Sequence, residues 1–326
     1  PKFLVNFTCM NREALARLLF KVNKPGRYVS SEEGAVDPVA KAQGALRYRL
    51  VLSYPDLYEL GVENGGIQLL YDAFNRKADV LCERVFCPDH DLVALLQQQG
   101  LPLWSLESCE PIKTAQFLGF SLTTELDFTN ILTILQGSQI PLLASERSDQ
   151  DLFVFAGGPA AFNPEPLADF IDFFFIGEAE TGLAEVLNGL SERAAQSRTQ
   201  RLLWLSAQPG VYVPSLYEFT FEGPSITATR FLGSGSGRVI KQVASNFNDA
   251  ASIPKRSVIP AIDAIFDRDA VEIMRGCPHK CRFCQISFIT SPVRERSVED
   301  VVKAAEVQLS NSGRDSVSLL SLSSGD

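Results

Sequence analysis

Nowhere in its 326 residues does the chain carry an apolar run approaching the roughly 18 consecutive residues of a membrane-spanning helix. The longest apolar stretch near the start, Phe3 to Val5, is too short for a secretory signal, so a cytoplasmic location is expected. Positive charge is also scarce. Thirty Lys and Arg against 39 Asp and Glu leave a net charge of -9, which indicates no general attraction for nucleic acid. The seven cysteines are an odd number and do not read as a secreted disulfide framework. Nor is there a second Cys-x-x-Cys pair of the kind that structural zinc sites favour.

What the chain does have is a run of three closely spaced thiols: Met274-Arg275-Gly276-Cys277-Pro278-His279-Lys280-Cys281-Arg282-Phe283-Cys284-Gln285. Cubane iron–sulfur clusters are usually held by four cysteinates, so a loop offering Cys277, Cys281 and Cys284 leaves one iron free to take a small-molecule ligand. Zinc could use the same thiols with His279 or a partner elsewhere as a fourth ligand, but the spacing is the weaker match to that metal. Before the loop, Ala270 to Met274 alternates apolar with polar and reads as a short strand. After it, Ser297 with Asp300 forms a helix-start signal, followed by Val298, Val301, Val302 and Ala305 on one expected helical face. Asn311 and Gly313 supply the stop, and Ser316 to Leu322 reads as the next strand. Such a strand–loop–helix–strand unit repeats in parallel α/β barrels, whose reactive groups sit at the carboxyl ends of strands.

The Cys-x-x-x-Cys-x-x-Cys loop, with Phe283 before its last cysteine, resembles the signature of the radical S-adenosylmethionine (SAM) superfamily. The resemblance implies a [4Fe-4S] cluster on Cys277, Cys281 and Cys284, SAM bound at its open iron, and an external one-electron reductant. It also implies that Arg275, Gly276 and Phe283 shape the loop and the adenine pocket. Ser324-Gly325-Asp326 resembles a variant of the small-Gly-acidic stretch that meets the methionine end of SAM in such enzymes. Further barrel strands are expected after Asp326, because two strands and one helix cannot close a barrel. Together with a start at Pro1, this suggests a fragment that by itself turns over SAM poorly or not at all.

From Ala45 onward the sequence alternates strands and helices. Expected strands begin with Leu46, Tyr48, Leu50 and Leu52 and continue at Ala78 to Phe86, Leu101 to Ser105, Ala115 to Leu122, Leu152 to Gly157 and Phe173 to Ile176. Expected helices carry Ile67, Leu70, Tyr71 and Phe74, then Asp91 to Gln98, Thr129 to Leu135, and finally Leu183, Val186, Leu187 and Leu190. This order predicts an open, doubly wound parallel α/β sheet, whose ligands bind beyond the carboxyl ends of the strands. The division expected is 1–44 as an amino-terminal helix and extended segment, 45–195 as the α/β domain, 196–262 as a linker with a β-hairpin, and 263–326 as the start of the barrel.

Three loops of the α/β part carry a second resemblance. Asp56-Leu57-Tyr58-Glu59-Leu60-Gly61, then Ser121-Leu122-Thr123, then Gly157-Gly158 resemble in order and spacing the loops of cobalamin-binding domains. Tyr58 stands where that pattern has the cobalt-coordinating His. A phenol with a pKa near ~10 is a poor cobalt ligand at neutral pH, so either cobalamin binds without a protein imidazole or the fold has lost the cofactor. On this resemblance Asp56, Tyr58, Gly61, Ser121, Thr123, Gly157 and Gly158 are the candidate cobalamin contacts. Lys24-Pro25-Gly26-Arg27-Tyr28, Asn163-Pro164-Glu165-Pro166, Ile176-Gly177-Glu178-Ala179-Glu180 and Pro292-Val293-Arg294-Glu295-Arg296-Ser297 extend the likeness along the chain to an uncharacterised family of cobalamin-binding-domain radical SAM proteins.

Other features read more plainly. Gly233-Ser234-Gly235-Ser236-Gly237 lacks the Lys of a phosphate loop and is a flexible turn. Tyr217 to Phe221 and Ile226 to Phe231 around Gly223-Pro224 predict a β-hairpin. Cys9, Cys82, Cys87 and Cys109 do not show the extra cluster pattern of a methylthiotransferase, and with His90 their irregular spacing makes ordinary thiols. Glu178 and Glu180 follow an apolar strand, where they serve either as acid–base groups or, for Glu180, as a helix-dipole cap. The function expected is reductive SAM cleavage to a 5'-deoxyadenosyl radical; the alternative is a non-catalytic metal- or corrinoid-binding protein.

Overall fold

The computed structural model describes residues 12–245, 247–248, 253–266 and 268–323. Helices α1 (Arg12–Leu19) and α2 (Pro38–Ala42) precede a six-stranded sheet. In chain order come β1 (Tyr48–Tyr54), α3 (Tyr58–Gly61), α4 (Gly65–Asn75), β2 (Val80–Phe86), α5 (His90–Gln99), β3 (Phe117–Ser121), α6 (Phe128–Gly137), β4 (Phe153–Gly157), β5 (Phe173–Phe175), α7 (Leu183–Glu192), α8 (Arg198–Leu205) and β6 (Val211–Tyr212). The spatial order is β2-β1-β3-β4-β5-β6. β1 to β5 run parallel, and β6 joins β5 antiparallel. The order reverses between β1 and β3, which is where doubly wound sheets open a crevice.

Both faces of the sheet are covered, which is why its strands are apolar on both sides. One face, with Val51, Leu118, Phe120, Val154 and Phe174, packs on Leu92 and Leu96 of α5 and Ile131, Ile134 and Leu135 of α6. The other, with Leu50, Leu52, Phe155 and Phe173, packs on Ile67, Tyr71 and Phe74 of α4 and on Leu183, Val186, Leu187 and Leu190 of α7. The i, i+3, i+4, i+7 spacing of the α7 set puts all four on one stripe. Burying each contributes about 1.5–3 kcal/mol.

Two expectations for this region fail. Leu101 to Ser105 forms no strand, only an isolated bridge from Trp104 to Pro111. Its backbone is used locally: Leu103 N–H donates to the Gly137 carbonyl, and Ser105 N–H to that of Glu110. Conversely, β6, which follows α8, adds a sixth strand to the sheet from within the stretch expected as linker. α8 was legible, since Ser197 caps it through Gln200 N–H and Gln200 answers through the Ser197 N–H.

Downstream, β7 (Tyr217–Glu222) and β8 (Ser225–Phe231) form the expected hairpin. Then β9 (Asp269–Glu272) and β10 (Met274–Arg275) lead into the cysteine loop, followed by α9 (Ile286–Ile289), β11 (Arg294–Glu295), α10 (Val298–Ser312) and β12 (Val317–Leu320). β12 runs parallel to β9, and β10 pairs antiparallel with β11. Ser297 accepts from Asp300 N–H at the start of α10, and Gly313 ends it in the left-handed conformation. The inner face of α10 is otherwise than expected. Ala304 and Gln308 are buried, whereas Val298 and Val302 are exposed. The small Ala304 lets the helix settle against β9, and that contact orients its face.

Candidate functional site

The carboxyl ends of β1, β3, β4 and β5 open into a crevice of about 530 Å³ that reaches across to β9, β12 and Gly276 at the base of the cysteine loop. Leu52, Phe120, Phe155 and Phe175 wall one side, and Val271, Met274 and Leu320 the other. Among the expected cobalamin contacts, Ser121, Thr123, Gly157 and Gly158 line it. Thr123 Oγ1 is engaged with Tyr54 Oη at 2.9 Å.

Asp56, Tyr58 and Gly61 are placed elsewhere. Tyr58 is 1% exposed and donates its hydroxyl to Glu32 Oε1 at 2.7 Å. Burial, reinforced by Glu32, holds the phenol well above its ordinary pKa. A Cβ on Gly61 would lie 2.5 Å from the Phe86 ring, so glycine serves packing there and not the approach of a ligand. Asp56 Oδ1 accepts from Leu57 N–H, and the Asp56 carbonyl from Cys87 N–H. Tyr58, Val62, Phe86 and Leu106 form a small core of their own. The position equivalent to a cobalt-ligating His is thus packed protein, and these residues do not fit a cobalt-ligand role.

Glu32 also anchors Arg84, whose guanidinium is 1% exposed and pairs as well with Glu107 Oε1 at 2.8 Å. Burial alone would lower the Arg84 pKa, but Glu107 and Glu32 hold it well above the ordinary value. Arg49 on β1 and Glu83 on β2 form a second buried pair. None of these five had a signal in the sequence, because a charged residue such as Arg49, Glu83 or Arg84 inside an otherwise apolar strand reveals its partner only in three dimensions.

The cysteine loop leaves β10 through Gly276, at φ 93°. A Cβ there would meet Val293 Cα at 2.9 Å and the Pro292 carbonyl oxygen at 3.0 Å, so only glycine lets the loop close against residues 290–293. Cys277 and Cys284 are half-buried and Cys281 is exposed, all three free thiols. Cys284 N–H donates to the Cys281 carbonyl at 3.0 Å, which turns the chain between them. Lys241 braces the far side of the loop by donating to the Ile289 carbonyl at 3.0 Å and to that of Ser291.

By contrast Cys82 is fully buried, and burial pushes the Cys87 thiol up to about 12, which makes both inert. Phe283 is 92% exposed and is not among the residues that line the crevice. Ser324, Gly325 and Asp326 lie outside the described residues.

Among the described residues, no three His, Cys, Asp or Glu side chains converge closely enough to hold a single metal ion. A cubane asks for something else, since its thiolates bind separate irons. Three free thiols on one loop, two of them half-buried beside an apolar crevice, fit that group by donor chemistry.

The loop's base is fastened to the α/β sheet by an ion-pair network. Arg275 donates to Glu272 at 2.7 and 3.0 Å and to Glu180 Oε1 at 2.5 Å, and lies 3.2 Å from Glu178. Arg294 Nη1 donates to Glu178 Oε2 at 2.8 Å, and its Nη2 to Glu178 Oε1. Arg296 donates to the carbonyls of Glu272 and Phe247. The guanidinium carbons of Arg275, Arg294 and Arg296 stand 5.1, 5.8 and 4.1 Å from the Phe247 ring centroid.

Burial would raise the Glu178 carboxyl, but the hydrogen bond from Arg294 takes it below the usual carboxylate range. Glu178 and Glu180 are therefore ion-pair partners of the cysteine-loop strands. Neither is a free acid–base group, and α7 starts at Gly182 without a side-chain cap.

Residues 66–214, from α4 through β6, match the family model described as radical SAM proteins, N-terminal. The chain is 25% identical over 278 residues to an uncharacterised protein of Methanocaldococcus jannaschii, covering 85% of this chain and 50% of that one. It is 33% identical over 76 residues to the ribosomal protein uS12 methylthiotransferase RimO of Desulfotalea psychrophila, covering 23% of this chain and 16% of RimO. The chain thus spans half or less of the curated relatives it matches. Among solved structures, the cobalamin-dependent SAM radical enzyme OxsB, with aqua-cobalamin and SAM bound, aligns at a TM-score of 0.45 and 13% identity. That alignment covers 81% of this chain and 32% of OxsB. No described helix is long and apolar enough to cross a membrane.

Proposed function

We propose that the α/β domain and the β9–α10–β12 unit belong to a radical SAM enzyme. In this reading Cys277, Cys281 and Cys284 hold a [4Fe-4S] cluster whose remaining iron takes SAM. A cluster so held, supplied with one electron from an external reductant, supports reductive cleavage of SAM to methionine and a 5'-deoxyadenosyl radical. The observation that carries the reading is the position of the three-thiol loop. It follows the parallel strand β9 by way of the short β10, and its base at Gly276 lines a largely apolar crevice.

The chain's own residues do the holding. Gly276 lets the loop turn back on residues 290–293, and Arg275 ties it to Glu272 and Glu180. The apolar walls lie on the side of the loop where a radical would have to be protected from water. Ser324, Gly325 and Asp326 remain the proposed contacts for the methionine end of SAM. Tyr58, buried against Glu32, supplies no cobalt ligand, so any cobalamin would bind without a protein ligand from that position, in the crevice that Ser121, Thr123, Gly157 and Gly158 line.

Anaerobic reconstitution tests it. Iron and sulfide should bind in cubane stoichiometry, and SAM should perturb the electron paramagnetic resonance signal of the reduced cluster. Cys277→Ser, Cys281→Ser and Cys284→Ser should each lose most of the iron. Zinc bound in place of iron, or a cluster that ignores SAM, would refute the assignment.

A further inference from the structure

The crevice wall holds three carboxylates, Glu178, Glu180 and Glu272, and three cations, Lys241, Arg275 and Arg296. Each is already engaged within the chain. The carboxylates bind Arg275 and Arg294, Lys241 binds two carbonyls of the loop, and Arg296 binds the carbonyls of Glu272 and Phe247. Away from the thiol loop, where SAM is proposed, an ionic ligand at the sheet end of the crevice would leave water for walls made of Leu52, Phe120, Phe155 and Phe175, without a free counter-charge beside it, which is unfavourable.

Two polar groups in the wall are not engaged. Ser121 Oγ, at the end of β3, makes no hydrogen bond with any described residue. Gln308, 4% exposed, has its Oε1 buried without a partner. An unpaired buried acceptor is destabilising until a donor reaches it.

We infer that the crevice between the α/β sheet and β9–β12 binds a neutral, mainly apolar molecule carrying a hydroxyl or N–H donor. Its volume of about 530 Å³ suits a ligand of two or three rings. Ser121 and, after a turn of its terminal amide, Gln308 orient that donor. Resting on the proposed function, this molecule is the substrate class, since the crevice ends at Gly276 beside the thiols.

The probe is N-phenyl-1-naphthylamine, a neutral two-ring fluorophore with one N–H, titrated into metal-free protein. Its sulfonated relative 8-anilino-1-naphthalenesulfonate serves as the anionic control. One saturable site is expected for the neutral probe, with binding of the sulfonate at least about tenfold weaker. Ser121→Phe and Ala179→Trp, each checked by circular dichroism for an unchanged fold, should abolish binding by filling the crevice. Gln308→Leu should weaken the neutral probe by about two- to tenfold and leave 1-phenylnaphthalene, which has no N–H, unaffected.

Equal or tighter binding of the sulfonate overturns the inference, as does binding that survives both filling variants in folded protein. Stoichiometric displacement of the probe by hydroxocobalamin also overturns it, because the crevice would then belong to a corrin. Iron content and SAM cleavage are measured separately. Loss of those with probe binding intact rejects the radical SAM reading and leaves the ligand class standing.

Discussion

Glu178→Ala removes the acceptor shared by three donors: Arg294 through both terminal nitrogens, Arg275 at 3.2 Å, and the Ala244 N–H at 2.6 Å. The Glu178 side chain is 13% exposed and those of both arginines 14%. Breaking a well-buried pair from one side is worth about 3–5 kcal/mol, and a surface pair about 0–1 kcal/mol. Arg275 keeps Glu180 and Glu272, while Arg294 keeps the carbonyls of Ala244 and Pro292. Partial rescue and slight solvent access place the expected loss at about 3 kcal/mol.

Urea denaturation at neutral pH measures it, and amide exchange should show protection lost in β10 and β11 before β1 to β4. A double-mutant cycle with Arg294→Ala should return a coupling of about 1–3 kcal/mol. A change under about 0.5 kcal/mol, or a coupling near zero, would mean that the network behaves as a solvated surface pair and does not hold the loop.

The same carboxylate predicts an acid sensitivity. Its folded pKa is lowered from 4.5, so its contribution is fully present above the unfolded value and is lost as pH falls through the folded one. The stability gap between the native chain and Glu178→Gln should therefore shrink on acidification below about pH 4.5, read from urea midpoints. Glu32→Ala strips a partner from the buried Arg84 and should cost about 3–5 kcal/mol, whereas Glu13→Ala on an exposed pair should cost about 0–1 kcal/mol. Leu187→Ala, in the centre of the α7 stripe, should cost about 2–5 kcal/mol by the same assay. Tyr58→His should not yield an imidazole-ligated cobalamin spectrum, because the side chain is enclosed by Phe86, Val62 and Leu106; appearance of such a spectrum would reopen the corrin site.

Several sequence motifs that resembled a family turn out to be fastening points of the fold. Arg27 of the Lys24 to Tyr28 motif pairs with Glu59 and Asp89, and Glu165 accepts from the Tyr212 hydroxyl. Glu178 and Arg294, from two separate motifs, pair with each other. Their residue types were visible in the chain, but what they touch was not. The Ser121 and Gly157 loops were legible as crevice positions because strand ends in a doubly wound sheet converge by topology. Tyr58 misled because its loop has the spacing of a ligand loop, whereas Glu32 and Phe86, which claim its two ends, lie 26 and 28 positions away in sequence.

Short-range interactions were set by the amino-acid order itself. The β/α alternation, the Ser297 cap, the Gly313 stop and the spacing of three thiols each depend on atoms within a few residues of one another. Tertiary packing decided the rest: the strand order, the inward face of α10, the enclosure of Tyr58, and the conversion of Glu178 and Glu180 from free carboxylates to anchors of the thiol loop. A side chain's charge and shape are local properties, but its burial and its counter-ion come from segments distant in the chain, brought near only when the sheet and the β9–β12 unit close around the crevice.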